Sequence, residues 1–148
     1  MANTLFPSMH ISAAAMSAQK QRMDVLAQNI ANAESTHTPK GGPYRRRQVV
    51  FSAVPVKQNF NSLFSRISDR NNAVSVKVSD VTEDPRPFHE VFDPGHPDAD
   101  KKGMVKYPNV NPVEEMVDLT SAARSFEANV TAMEASKNMF LKSLELLR

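Results

Sequence analysis

The sequence predicts an α+β protein: long N- and C-terminal α-helices pair as a coiled-coil inner layer, joined by a small β-strand-rich and loop-rich middle region. Three observations predict this. Apolar residues recur at spacings of three and four along both ends of the chain. All four glycines lie between Gly41 and Gly103, and eight of the ten prolines lie between Pro39 and Pro108, so the breakers gather in the middle. Two middle stretches carry β-branched residues in partial alternation.

The first helix is expected over residues 8–33, with Pro7 suited to its start. Its seam reads Met9, Ser12, Met16, Gln19, Met23, Leu26, Ile30 and Ala33, and a partial second stripe of Ile11, Ala15, Ala18 and Val25 widens the apolar arc. Such a helix would be about 38 Å long. Residues 32–38 supply turn-formers, and Pro39 ends any helix.

In the middle, strands are expected at Arg47–Val54 and Ala73–Val81, with weaker candidates at His89–Phe92 and Met104–Tyr107. Asn59–Asn72 fits a short helix or a loop. Residues 84–102, with four prolines, read mostly as loop. The division expected is 1–33 with 111–148 as the helical layer and 34–110 as the middle.

The C-terminal helix has a legible start. Asn111 suits the N-cap, Pro112 the first helical position and Glu114 the capping-box position. Glu114, Glu115 and Asp118 favour the positive end of the helix dipole. The seam reads Met116, Leu119, Ala123, Phe126, Val130, Met133, Lys137, Phe140, Leu144 and Leu147, broken only by Lys137. The side opposite reads Ser121, Ser125, Ala128, Ala132, Ala135 and Met139, small or apolar where water would favour charge. A helix of this kind is normally buried on several sides. With about 55 Å of length, it is too long for a compact globule of this size, whose radius of gyration would be about 15 Å. It is therefore expected to meet neighbouring subunits.

Composition narrows the chemistry. Residues 1–74 hold nine Lys/Arg and three Asp/Glu, net +6, whereas residues 75–148 hold nine and thirteen, net −4. The absence of cysteine excludes disulfides, thiolate metal sites and cysteine nucleophiles. The N-terminus has no basic n-region, so no cleavable export signal is expected. No apolar run approaches the roughly 20 residues of a membrane span. His89 and His96, near Glu90, Asp93, Asp98 and Asp100, match no zinc or calcium-loop spacing. There is no GxSxG elbow, and Gly41-Gly42 is followed by Pro43 rather than a P-loop lysine. No catalytic, cofactor or metal residue is therefore assigned, and no enzymatic activity is expected. The basic run Arg45-Arg46-Arg47 beside Tyr44 reads as a protein interface, because Arg and Tyr are enriched there.

The stretch Met23–Ala33 (MDVLAQNIANA) resembles the N-terminal motif shared by bacterial flagellar rod and hook axial proteins. Residues 36–46 (THTPKGGPYRR), 105–118 (VKYPNVNPVEEMVD) and 124–130 (RSFEANV) are similar to the proximal-rod branch of that family. The resemblance implies a structural subunit of the basal-body proximal rod, part of the tubular drive shaft that transmits motor torque for motility. Its partners would be other rod proteins and copies of itself, with the MS-ring and the flagellar export apparatus at the rod base. No nucleic acid and no membrane span are expected. The chain would reach the periplasmic space by type III export, without a cleaved signal. Family members usually have a shorter middle, so no family role is carried onto Val81–Lys101. The residues expected at assembly interfaces are Met9, Met16, Met23, Leu26, Ile30, Tyr44, Arg45, Arg46, Met116, Leu119, Phe126, Ala128, Val130, Ala132, Met133, Phe140, Leu144 and Leu147. The competing readings are a free-standing coiled-coil adaptor or secreted translocator-type protein, and a basic nucleic-acid-binding module.

Overall fold

The computed structural model describes residues 2–39, 41–56 and 74–146, with side chains from residue 8 onward. The order is α1 (Ala2–Ala31), β1 (Arg47–Pro55), β2 (Val74–Glu83), β3 (His89–Phe92), β4 (Met104–Tyr107) and α2 (Pro112–Glu145). This is the expected α+β layout. The ambiguous stretch 59–72 and Leu147 lie outside the described residues.

Pro7 does not start α1, which begins at Ala2 and carries Pro7 inside it. As the sixth residue of the helix, Pro7 forfeits one backbone bond and crowds the carbonyl four residues before it, a cost confined to the first turns. Pro112 does open α2. Asn111 caps it, its side-chain oxygen accepting from the Val113 N–H at 3.1 Å and its carbonyl from the Glu115 N–H at 3.1 Å.

Among the described residues the strands form two two-stranded sheets, β1 with β2 and β3 with β4. β3 and β4 are antiparallel, with His89 opposite Tyr107, Glu90 opposite Lys106, Val91 opposite Val105 and Phe92 opposite Met104. The turn between them closes through the Asp93 N–H on the Gly103 carbonyl at 2.9 Å. Asp100 braces it, its Oδ1 accepting from the N–H groups of Lys102 and Met104.

The chain divides into two compact units. One holds residues 1–20, 51–79 and 123–148; the other holds 21–50 and 80–122. In the first, Ser12, Ala18, Ser75 and Ser136 are buried, and the Ser8 hydroxyl donates to Ser136 Oγ at 3.5 Å. In the second, Val25, Leu26, Val105 and Ala122 are buried together with Asn29, Asp84 and Glu115. There α1 and α2 run antiparallel: Arg22 meets Asp118, and seven residues later Asn29 meets Glu115.

The covered stripe of α2 is turned in part from the expected one, and that of α1 is broader than its seam. On α2, Leu119, Phe126, Met133 and Phe140 are half-buried as a row seven apart. The companion row is Glu115, Ala122, Asn129 and Ser136; Met116 and Lys137, assigned to the seam, are exposed. Lys137 therefore does not interrupt the stripe. On α1, Ser12 and Leu26 of the expected seam and Ala18 and Val25 of the partial second stripe are buried, whereas Met9, Met16, Met23 and Ile30 are half-buried. The reason is polar. Asn29 and Glu115 are drawn inward by hydrogen bonds that an apolar pattern does not register.

Candidate functional site

The residues after α1 return the chain to the helix they leave. Ala33 and Ser35 close turns onto the carbonyls of Ile30 and Asn32, and the Tyr44 N–H reaches the Ser35 carbonyl at 2.9 Å. Between them, the Thr38 N–H donates to the Gly42 carbonyl and the Gly41 N–H to the Thr38 carbonyl. Gly41 and Gly42 have φ of 86° and 75°, a region costly to residues with a Cβ. The Gly-Gly pair thus serves a reversal that brings Tyr44 through Arg47 back against α1.

Asn29 is the hub of the contact, with no exposed surface. Its Nδ2 donates to the Arg47 carbonyl and to Glu115 Oε2, both at 2.8 Å. Its Oδ1 accepts from the Tyr44 hydroxyl at 2.9 Å and from the Arg47 N–H at 3.0 Å. Both donor hydrogens and both acceptor sites of the amide are used. Glu115 is equally buried, and its Oε1 accepts from Arg46 Nε at 2.6 Å. A carboxylate in that position needs this partner: removing one member of a buried pair typically costs about 3–5 kcal/mol.

Arg46 continues the network to Asp84 Oδ2 at 3.4 Å. Asp84 also accepts from Gln48 Nε2, from the Arg86 guanidinium and from the Arg86 N–H. These Arg86 bonds, aided by Arg46 and against the cost of burial, hold the Asp84 carboxyl at about 2, below its usual value of 3.8. Asp84 in turn pushes the Arg86 guanidinium upward. Burial raises the Tyr44 phenol above its usual 10.0, opposed by the charge of Arg47. Asn109 ties the same segments, accepting from the Arg46 N–H at 2.9 Å and donating to the carbonyls of Asp84 and Arg86. Arg45 donates to those two carbonyls as well and lies 4.4 Å from the Phe88 ring centre.

A family model described as flagella basal body rod protein matches residues 9–40, and one described as flagellar basal body rod FlgEFG protein C-terminal matches residues 101–146. Flagellar basal-body rod protein FlgC of Bacillus subtilis is 46% identical over 149 aligned residues, covering 97% of this chain and 98% of the relative. FlgC of Borreliella burgdorferi is 40% identical with the same coverage, and FlgC of Salmonella typhimurium is 40% identical over 136 residues, covering 92% of each. The chain belongs to the FlgC family of flagellar basal-body rod proteins. It is a structural rod subunit.

Within that family setting, the residues expected at interfaces separate into three groups. Leu26 is buried, and Met9, Met16, Met23, Ile30, Leu119, Phe126, Val130, Met133 and Phe140 are half-buried. Met116, Ala128, Ala132 and Leu144 are exposed. Tyr44, Arg45 and Arg46 are half-buried and engaged inside the chain. The pattern reading missed Asn29, Asp84 and Asn109 as structural residues and read Glu115 only as a dipole partner. The available signal was the motif itself, since Asn29, Tyr44, Arg46, Asn109 and Glu115 all stand in the stretches that carry the resemblance.

The loop acids have local tasks. Asp93 accepts from the Gly95 N–H, and Asp98 accepts from the Thr36 hydroxyl at 2.7 Å. His96 accepts from the Asp98 N–H and stands edge-on to Tyr107. Among the described residues, no three His, Cys, Asp or Glu side chains gather as a metal-binding set. Nor is any described helix long and apolar enough to cross a membrane.

Proposed function

We propose that the chain builds the proximal rod by packing α1 and α2 as a coiled-coil inner layer against neighbouring subunits, with residues 34–110 outside it. The neighbours are other rod proteins and further copies of the chain; the MS-ring and export apparatus lie at the rod base. In this reading the subunit reaches the periplasmic space without a cleaved signal, performs no catalysis and holds no cofactor. Its work is mechanical: a wall of repeated helix contacts carries torque.

The observation that carries this reading is the exposed surface of α2. Val113, Val117 and Met116 are 69%, 64% and 55% exposed near its start, and Met139 and Leu144 are exposed toward its end. Ala128, Ala132 and Ala135 lie exposed between them. Apolar and small side chains sustained along one helix favour a protein neighbour over water.

The test is Ala132→Glu. On a surface that stays wet, the change alters stability by within about 0.5 kcal/mol. Against a neighbour, it buries an unpaired carboxylate in every repeat. Cells carrying it should make normal amounts of protein, fail to swim and hold basal bodies arrested before the distal rod. Normal swimming would overturn the packing of this face.

A further inference from the structure

We infer that Asn29 and Glu115 form a register lock, selecting which turn of α1 meets which turn of α2 in the unit that holds residues 21–50 and 80–122. The apolar rows do not make that selection. Leu119, Phe126, Met133 and Phe140 repeat every seven residues, as do Met9, Met16, Met23 and Ile30. In those two rows a slip of seven residues presents the same kinds of side chain to one another, and methionine repacks easily; the row Ser12, Gln19, Leu26 and Ala33 adds only the single large apolar side chain of Leu26. Apart from Leu26, the apolar seam thus leaves several registers close in energy, and the Leu26→Ala variant below separates its share from that of the polar pair.

The polar pair does discriminate. Asn29 and Glu115 are both fully buried; the Asn29 amide has every donor and acceptor site engaged, and each Glu115 oxygen has a specific partner. A seven-residue slip one way sets Ala122 against Asn29, which leaves an amide donor without an acceptor. The opposite slip brings Glu115 toward Arg22, which offers a new ion pair. It also strips Arg46 of Glu115 and Asn29 of its carboxylate, in a setting where unpaired polar groups are costly. The present Arg22–Asp118 pair, 3.1 Å apart and with side chains 32% and 41% exposed, is too wet to hold the register alone. A single buried amide fixing the alignment of two helices has precedent in coiled coils. Here the same amide also binds the Arg47 backbone, so register and the placement of β1's first residue are set together.

The native chain has no cysteine, so two can be added as unique labels. Gln28→Cys and Thr120→Cys place spin labels on exposed positions of α1 and α2, to be read by pulsed electron paramagnetic resonance in the full-length chain. One narrow distance is expected in the parent. Asn29→Leu should add a second population, displaced by up to about 10 Å, the rise of seven helical residues. Leu26→Ala removes apolar burial on the neighbouring turn but leaves the lock intact, and should keep the single distance even though it destabilises the fold. If Asn29→Leu fails to fold, Glu115→Gln takes its place. It keeps the side chain's size but offers one acceptor oxygen in place of two, and a second distance is again expected. A single parental distance in the folded lock variant, or the same splitting in Leu26→Ala, would overturn the lock.

Discussion

Asp84 concentrates the charge logic of the site in one carboxylate. It is 5% exposed and accepts from Arg86, Gln48 and Arg46, so the charged form is strongly preferred in the folded chain. Its folded value of about 2 lies below the ordinary 3.8. The unfolded chain therefore takes up the proton first as pH falls. The stability that Asp84 contributes is full well above 3.8 and is lost as pH falls through about 2. Denaturant unfolding from pH 6 down to pH 2 should show the parent losing stability across that window. Asp84→Asn should start lower at neutral pH and lose less on acidification; parallel curves would contradict the assignment. This contribution was not legible beforehand. Asp84 sits in a proline-rich stretch that reads as loop, and its partner Arg46 is 38 positions away. Residue type and spacing report what a side chain is, but not which distant segment will be folded against it.

At the scale of elements, the β3–β4 hairpin offers a sharper contrast. Gly103 has φ of +73°, and a Cβ there would lie 2.9 Å from Phe92 Cε2 and 3.2 Å from Pro94 Cβ. Phe92 is 67% exposed and can swing away, whereas the Pro94 ring has little freedom. The backbone penalty remains in either case. Gly103→Ala should thus cost about 1–2 kcal/mol, read as a lowered urea midpoint with unchanged slope. Gly95→Ala, in the same turn, meets only Asp93 Oδ1 at 3.5 Å and should leave the midpoint nearly unchanged. Equal effects of the two substitutions would show that φ at 103 is not the controlling constraint. Element existence was largely written in the pattern: β3 and β4 fall at the expected residues, β1 and β2 within two, and α2 starts at its proline. The start of α1 was not, because proline weakens a helix start without forbidding it. Nor was the partial rotation of the covered stripe on α2. An apolar seam and a seam one residue away share every seventh residue, and only the buried amide and carboxylate distinguish them.

For the whole molecule, the decisive question is where the isolated chain holds its order. The unit containing residues 21–50 and 80–122 buries Val25, Leu26, Val105 and Ala122 around Asn29, Asp84 and Glu115, with hydrogen bonds joining α1, α2 and the segments between them. The other unit's described residues offer less. Its buried residues are Ala18 and three serines, and Gln19 Oε1 is buried without a hydrogen-bond partner. Burial of large apolar groups is the main offset to chain entropy, and an orphaned acceptor adds a penalty. Helices with so little covered surface are marginal alone even at this length. In a verified monomer, amide hydrogen exchange should be slowest around Leu26–Asn29, Val105 and Leu119–Ala122, and much faster in α1 before residue 20 and in α2 after residue 123. Within the assembled rod, the fast segments should become protected, because the contacts proposed for α2 would then cover them. Uniform slow exchange along the whole of α2 in the monomer would mean that the helix needs no neighbour, and the exposed apolar side chains would require another explanation.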